Sequence, residues 1–378
     1  MKKKVVVLGA GMVGRAMAAD LSDRYHVTAA DLSAENLERL PAGIASVQAD
    51  LSRPEVLHRI VAPADLVIGA VPGFMGFATV QHVLECGKNI VDISFFAEDC
   101  FELDALAQQR QVTAIVDCGV APGLFNIVAG YHHQRMQVDN LVAMCGGLPV
   151  RRTLPFQYKA PFSPVDVLEI YTRPARIVVN GSVRTVPALS NVEEVHLEPV
   201  GTLEAFDTDG LRSMLRTMKI PNMCEKTLRY PGHAALMKAL RAMGLFSESP
   251  LMVNGQQVKP IDFACALLFP HWKLEPGEEE FTLLSIQLEG REQNEYKCLN
   301  YHLYDRYDPN TQTTSMARTT GYTATAAASA VLEGLYTRKG ISPPEYLGEQ
   351  EPVFHFIMDY LAQRNLRFTV TSSKSPAG

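Results

Sequence analysis

Long hydrophobic runs are missing from this 378-residue chain. No apolar stretch approaches the ~20 residues that cross a bilayer as a helix, so neither a membrane-spanning helix nor a membrane partner is expected. Charge of one sign is also missing. With 35 basic and 41 acidic residues the net charge is −6, which gives no basic field to draw nucleic acid. The seven cysteines are an odd number, with neither C-x-x-C nor Cys/His ligand spacing, so reduced thiols and no metal site are expected. Internal repeats, coiled-coil heptads and low-complexity linkers are absent as well. The short basic start, Met1-Lys2-Lys3-Lys4, runs directly into Val5 with no small-residue cleavage site, the pattern of a cytoplasmic protein. The length allows two or three domains with substantial cores.

What is present begins at once. Val5-Val6-Val7-Leu8 is an unbroken apolar run, the pattern of a parallel strand buried on both faces. Gly9-Ala10-Gly11-Met12-Val13-Gly14 follows and opens into residues 15–21, small and apolar with good helix propensity. A second strand at 25–30 ends in Asp31, at the distance a dinucleotide fold requires. Gly9 permits the tight turn, Gly11 lets backbone approach a pyrophosphate, and Gly14 lets helix and strand pack closely. The N–H groups of Met12 and Val13 open the helix toward the phosphates. Asp31 is placed to accept from the adenosine ribose and to repel a 2′-phosphate, and Leu32-Ser33 offers no arginine to bind one. NAD is therefore expected rather than NADP.

Helix and strand patterns continue to alternate. A third strand at 44–48 closes on Asp50, a fourth at 65–71 ends in Val71 before Pro72, a fifth at 89–93 carries Asp92, and a sixth at 112–117 ends in Asp117. Residues 1–122 thus read as an α/β domain with a doubly wound parallel sheet. Asp50, Val71 and Pro72 lie at strand ends, where ligand-facing loops begin. The alternation stops after Gly119-Val120-Ala121-Pro122-Gly123. Residues 123–315 read as a mostly antiparallel α+β insertion with a hairpin turn at Asn180-Gly181. Residues 316–370 turn helical again, and 371–378 read as a frayed polar tail.

Five segments match one family in order and spacing: 7–14, 117–123, 146–150, 227–233 and 316–322. The chain resembles the saccharopine dehydrogenase family, most closely its lysine 6-dehydrogenase branch. The resemblance implies a Rossmann domain, an inserted domain for substrate and homodimer contacts, and C-terminal helices that complete the first domain. It also implies NAD(P)-linked oxidation at a carbon bearing an amine, with an amino acid as substrate. L-Lysine oxidised at its ε-carbon would give a semialdehyde, ammonia and NADH. The alternative is a saccharopine-type or carboxyamine dehydrogenase, cleaving or forming a secondary amine between two amino acids. Ala121 fits the lysine branch, while Cys145 before Gly146-Gly147-Leu148-Pro149 looks like the saccharopine branch.

Amine oxidation requires a neutral nitrogen, and an ε-ammonium has a pKa of about 10.4. A general base is needed. Asp117, Asp92 and His233 are the candidates; the plainer reading of each aspartate is a helix cap, and of the histidine a polar helix start. Arg229 is the candidate clamp for a substrate carboxylate. Tyr230, Lys159, Cys145, Gly146 and Gly147 are further substrate-site candidates, although buried cysteines mostly pack. A non-catalytic NAD-binding regulator would need the glycines and Asp31 alone, and a structural dimer module would bind no nucleotide.

Overall fold

The computed structural model describes residues 2–293 and 295–374. Two compact units emerge, Met1–Gln137 with Met316–Phe368, and Val138–Ser315 with Thr369–Gly378. The first unit runs on through helix Leu124–His133, past the residue 122 at which the sequence alternation ends. Among the described residues no helix is long and apolar enough to cross a membrane.

Six strands of the first unit are β1 (Lys4–Leu8), β2 (His26–Asp31), β3 (Ala45–Gln48), β4 (Leu66–Gly69), β5 (Asn89–Asp92) and β6 (Thr113–Ile115). They pair in parallel in the order β6-β5-β4-β1-β2-β3, the expected doubly wound sheet. A seventh strand, Gly340–Ser342, extends the β6 edge. Three residues carry no periodicity, so the sequence pattern does not reveal it. The central strand β1 is sealed on both faces, with Val5, Val7 and Leu8 fully buried. Asp20 anchors the returning C-terminal segment. Its carboxylate receives Arg364 Nε (2.5 Å), Tyr360 Oη (2.7 Å) and Thr325 Oγ1 (2.6 Å). Close backbone approach fixes another contact: a Cβ on Gly130 would overlap the backbone of Glu345, and one on Gly348 that of Ile127. Glycine is required at both crossings.

The second unit is built on a nine-stranded sheet. Strand Asn222–Arg229 pairs in parallel with Gln137–Pro149, and antiparallel with Gly201–Thr208. Helices Pro164–Thr172, His233–Ala242 and Pro260–Trp272 pack around Tyr171, Leu228, Trp272 and Leu283. The expected hairpin forms, Ala175–Val179 against Ser182–Val186, with Asn180 and Gly181 both at positive φ, as a type I′ turn demands. Two expectations fail here. Gly201–Thr208 is a strand that sequence pattern hides, because Glu204 and Asp207 are buried in it. The expected tail is instead a strand, Thr369–Lys374, paired with Glu295–Arg306, while 375–378 lie outside the described residues.

Candidate active site

Helix Met12–Ser22 starts from Gly11 with no side-chain cap, leaving its first N–H groups available to an anion. The three glycines divide their roles sharply. A Cβ on Gly9 would overlap Ala70 O and one on Gly14 would overlap Gly9 O, whereas one on Gly11 would meet nothing within 4 Å. Gly9, at φ +101, and Gly14 are therefore dictated by the chain's own packing. Gly11 faces open space, where a pyrophosphate can come against the backbone and the Met12 and Val13 N–H groups. These residues fit a dinucleotide. Asp31 accepts from Ala10 N (2.6 Å) and Ser33 N (2.7 Å), so it also ties the glycine turn to the end of β2. Asn36 Nδ2 also donates to Oδ2 at 3.4 Å, and Oδ1 retains a lone pair for a sugar hydroxyl.

The other expected cofactor residues differ in placement. Val71 and Pro72 follow Ala70, whose carbonyl abuts Gly9, and Pro72 caps helix Gly73–Glu85. They belong to the rim of the glycine turn. Asp50 is exposed and accepts from Ser52 N (3.0 Å) and Ser52 Oγ (2.6 Å), bonds that hold its carboxyl below its ordinary range. In the structure Asp50 shapes the turn before helix Pro54–Val61.

Asp92 and Asp117 come together at the carboxyl ends of the neighbouring strands β5 and β6, where Cys118 N donates to Asp92 O at 3.0 Å. Asp92 is wholly buried. Its Oδ1 accepts from Ser94 N (2.9 Å) and Ser94 Oγ, while Oδ2 has no hydrogen-bond partner among the described residues. Burial above all, with the neighbouring Asp117 charge adding and the Ser94 bonds opposing, pushes this carboxyl up to about 8. Asp117 is buried at φ +54, a left-handed backbone that aspartate adopts more readily than most residues. The next turn rests on the C-terminal helix. A Cβ on Gly119 would stand 3.3 Å from Thr320 Cγ2, which explains why two distant segments of the family pattern occur together.

The second unit holds a different cluster. Arg229 is 2% exposed, with Nε donating to Tyr171 Oη (3.1 Å), Nη1 donating to Leu228 O (2.8 Å), and its guanidinium 4.3 Å from the Tyr158 ring centre. Tyr171 Oη lies 2.9 Å from His233 Nε2, and His233 Nδ1 lies 2.9 Å from Phe156 O. Arginine can only donate and the carbonyl can only accept, so the chain of protons is fixed. Tyr171 accepts from Arg229 and donates to His233, which donates to Phe156. Burial, then the Arg229 charge, lowers the imidazole to about 3. His233 is thus neutral with both ring nitrogens engaged, and Arg229 is buried with Nε and Nη1 engaged.

The other substrate-site candidates have packing or hydrogen-bond partners of their own. Tyr230 Oη donates to Pro149 O at 2.9 Å. Lys159 Nζ donates to Lys273 O at 2.9 Å and lies 3.6 Å from Glu278. Gly146 and Gly147 lie inside strand Gln137–Pro149 rather than in a loop, and a Cβ on Gly146 would stand 2.7 Å from Leu228 Cβ. Cys145 is buried, and desolvation first, then the Glu225 charge, pushes its thiol up, so it packs rather than reacts.

Sequence reasoning misses Glu225 and Arg212. Glu225 accepts from Thr208 Oγ1 at 2.5 Å and from the Gly210 N–H. Burial chiefly, then those opposing bonds and the charges of Asp209 and Asp207, leaves its carboxyl at about 7. Arg176 braces the same turn through two 2.8 Å bonds to Asp209, and Arg212 beyond it is buried at φ +46. The available sequence signal is polar residues at alternate positions 225, 227 and 229, a stripe that ordinarily marks a wet strand face.

Two family models match the chain, Saccharopine dehydrogenase NADP binding domain over residues 5–115 and Saccharopine dehydrogenase C-terminal domain over residues 119–366. It is 27% identical over 279 residues to the mitochondrial alpha-aminoadipic semialdehyde synthase of Bos taurus, covering 69% of this chain and 30% of that protein. It is 25% identical over 263 residues to a saccharopine dehydrogenase (NADP(+), L-glutamate-forming) of Pyricularia oryzae, covering 65% and 58%. The chain thus spans less than two thirds of either relative's length. In fold it is similar to the apo saccharopine dehydrogenase (L-Glu forming) of Saccharomyces cerevisiae, with a TM-score of 0.79, 19% identity, and coverage of 98% of this chain and 100% of that one. With the glycine turn, the doubly wound sheet and both matched domains in place, the chain belongs to the saccharopine dehydrogenase family.

Proposed function

We propose that the protein is an NAD-dependent oxidoreductase that deaminates the side-chain amine of an amino acid, L-lysine at its ε-carbon, giving a semialdehyde, ammonia and NADH. The observation that carries this reading is the Asp92–Asp117 pair. Asp92 offers a fully buried carboxyl with one oxygen unpartnered and a pKa raised to about 8. It stands at the same carboxyl edge of the sheet as the open Gly11 cradle, where α/β folds bind their ligands.

Bound there, a nicotinamide would accept the hydride from the carbon that bears the nitrogen. The chain's own work is proton handling. A carboxyl titrating near 8 can take the ammonium proton that blocks oxidation, and later a proton from the water that releases ammonia. Asp31 supports NAD by setting a carboxylate where a 2′-phosphate would sit, although the matched family model is described as NADP binding. A cytoplasmic homodimer completes the reading, and light scattering of the purified protein tests the assembly.

A second reading has its own support. Cys145-Gly146-Gly147 and the printed names of the relatives favour a saccharopine-type secondary amine as substrate. NADH formation at alkaline pH, with L-lysine, saccharopine and other diamines in parallel, and NADP in place of NAD, separates them. Lysine turnover with ammonia release supports the first reading, and turnover of saccharopine alone replaces it with the second. Binding of NAD without turnover of any of these substrates contradicts both.

A further inference from the structure

Where helix Pro54–Val61 packs beside helix Gly73–Glu85, three ligand-type side chains converge: His58, His82 and Glu85. We propose that they form a binding site for a divalent transition metal of the zinc class, separate from the dinucleotide cradle. His82 and Glu85 are three residues apart and share one helix face, and His58 reaches them from the neighbouring helix. Their ligand atoms all lie within 4.8 Å of one another. Glu85 Oε2 stands 3.0 Å from His82 Nδ1 and 3.8 Å from His58 Nε2. Tetrahedral bonds of about 2.0–2.1 Å hold ligand atoms roughly 3.4 Å apart, so rotamer-scale shifts close this triangle around an ion.

The histidines argue for more than an ordinary helix-surface contact. A hydrogen bond to Glu85 accounts for His82, but His58 Nε2 is shut off from solvent and has no hydrogen-bond partner among the described residues. Such a nitrogen carries an unrecovered desolvation cost, which a metal bond would offset. Glu85 is already oriented, since its other oxygen accepts from Gln81 Nε2 at 3.1 Å, the outer support that metal-binding carboxylates use. Two imidazoles and one carboxylate suit zinc, nickel or copper rather than calcium or magnesium, which prefer all-oxygen shells. The three side chains are 26–40% exposed, which leaves the fourth position to water. A bound ion would pin the two helices together, and one of them begins at Pro72–Gly73 beside the glycine turn.

The test uses the full chain stripped with chelator and titrated with zinc against a chromophoric competitor, then with cobalt for its visible spectrum. Wild type should bind one equivalent at micromolar concentration, with a nitrogen- and oxygen-ligand cobalt spectrum lacking thiolate charge transfer. His58→Asn and Glu85→Gln should each weaken binding at least about tenfold, and the His58→Asn/His82→Asn double variant should abolish it, all with unchanged NAD affinity as the folding control. Failure of wild type to bind, equal binding by the double variant, or a thiolate spectrum would overturn the site.

Discussion

The two units each bury a carboxyl whose proton affinity is raised into the physiological range, and they do so in opposite ways. Asp92, at about 8, keeps one oxygen without a partner at the strand ends beside an open cradle. Glu225, at about 7, is held between Thr208 and Gly210 inside a braced turn. Desolvation raises both, so a shifted pKa by itself does not identify the reacting group. What separates them is satisfaction. The group with one oxygen unpartnered is the candidate base, and the group held by Thr208 and Gly210 is structure. The same contrast divides the donors: the first-turn N–H groups after Gly11 have no side-chain cap, while His233 has spent its one donor on Phe156 and Arg229 gives donors to Tyr171 and Leu228.

The largest test of this contrast is Asp92→Asn. Turnover should fall about 10²–10⁴-fold, with NAD binding retained. In wild type, kcat/KM should climb as Asp92 deprotonates through about pH 8, and this limb should vanish in the variant. Undiminished turnover would erase the distinction between the two carboxyls.

Glu225→Gln sharpens the opposite side. The folded carboxyl binds its proton more tightly than the unfolded one, with about 7 against 4.5. Glu225 therefore favours the fold most below pH 4.5, and that contribution is lost as pH rises through about 7. Denaturant titrations should show the wild type losing up to about 3 kcal/mol more than the variant across that window, with little change in KM at neutral pH. Tyr171→Phe follows in size. It removes the hydroxyl between Arg229 and His233 and should cost about 1–3 kcal/mol of stability. A raised KM with unchanged stability would instead restore Arg229 and His233 to the substrate. The smallest effect separates the glycines: Gly11→Ala should keep the wild-type melting temperature and weaken NAD binding about tenfold, which is near 1.4 kcal/mol. Gly9→Ala should lower the melting temperature, since its Cβ overlaps Ala70 O.

How far the sequence could be read depends on how local each feature is. Gly9, Gly11, Gly14 and Asp31 lie within one strand–turn–helix–strand unit, so their spacing along the chain is their spacing in space. The alternation of strands and helices in the first unit and the Asn180-Gly181 hairpin are legible for the same reason. Strands Gly201–Thr208 and Thr369–Lys374 escape because buried acids and exposed threonines break the usual patterns. The Arg229–Tyr171–His233 relay draws on a strand and two helices, and only packing shows that Arg229 is buried and His233 neutral. His58 with His82 and Glu85 is hidden likewise, because no single-helix spacing contains it.

The most direct test of the central claim follows NADH formation from NAD and L-lysine, with ammonia release, from neutral to alkaline pH in wild type and Asp92→Asn side by side. The Asp92 account predicts wild-type turnover that rises through about pH 8 and a variant that binds NAD but has lost both the rate and the rise. Equal pH profiles in the two proteins, or a wild type that binds NAD and never oxidises lysine, would contradict it.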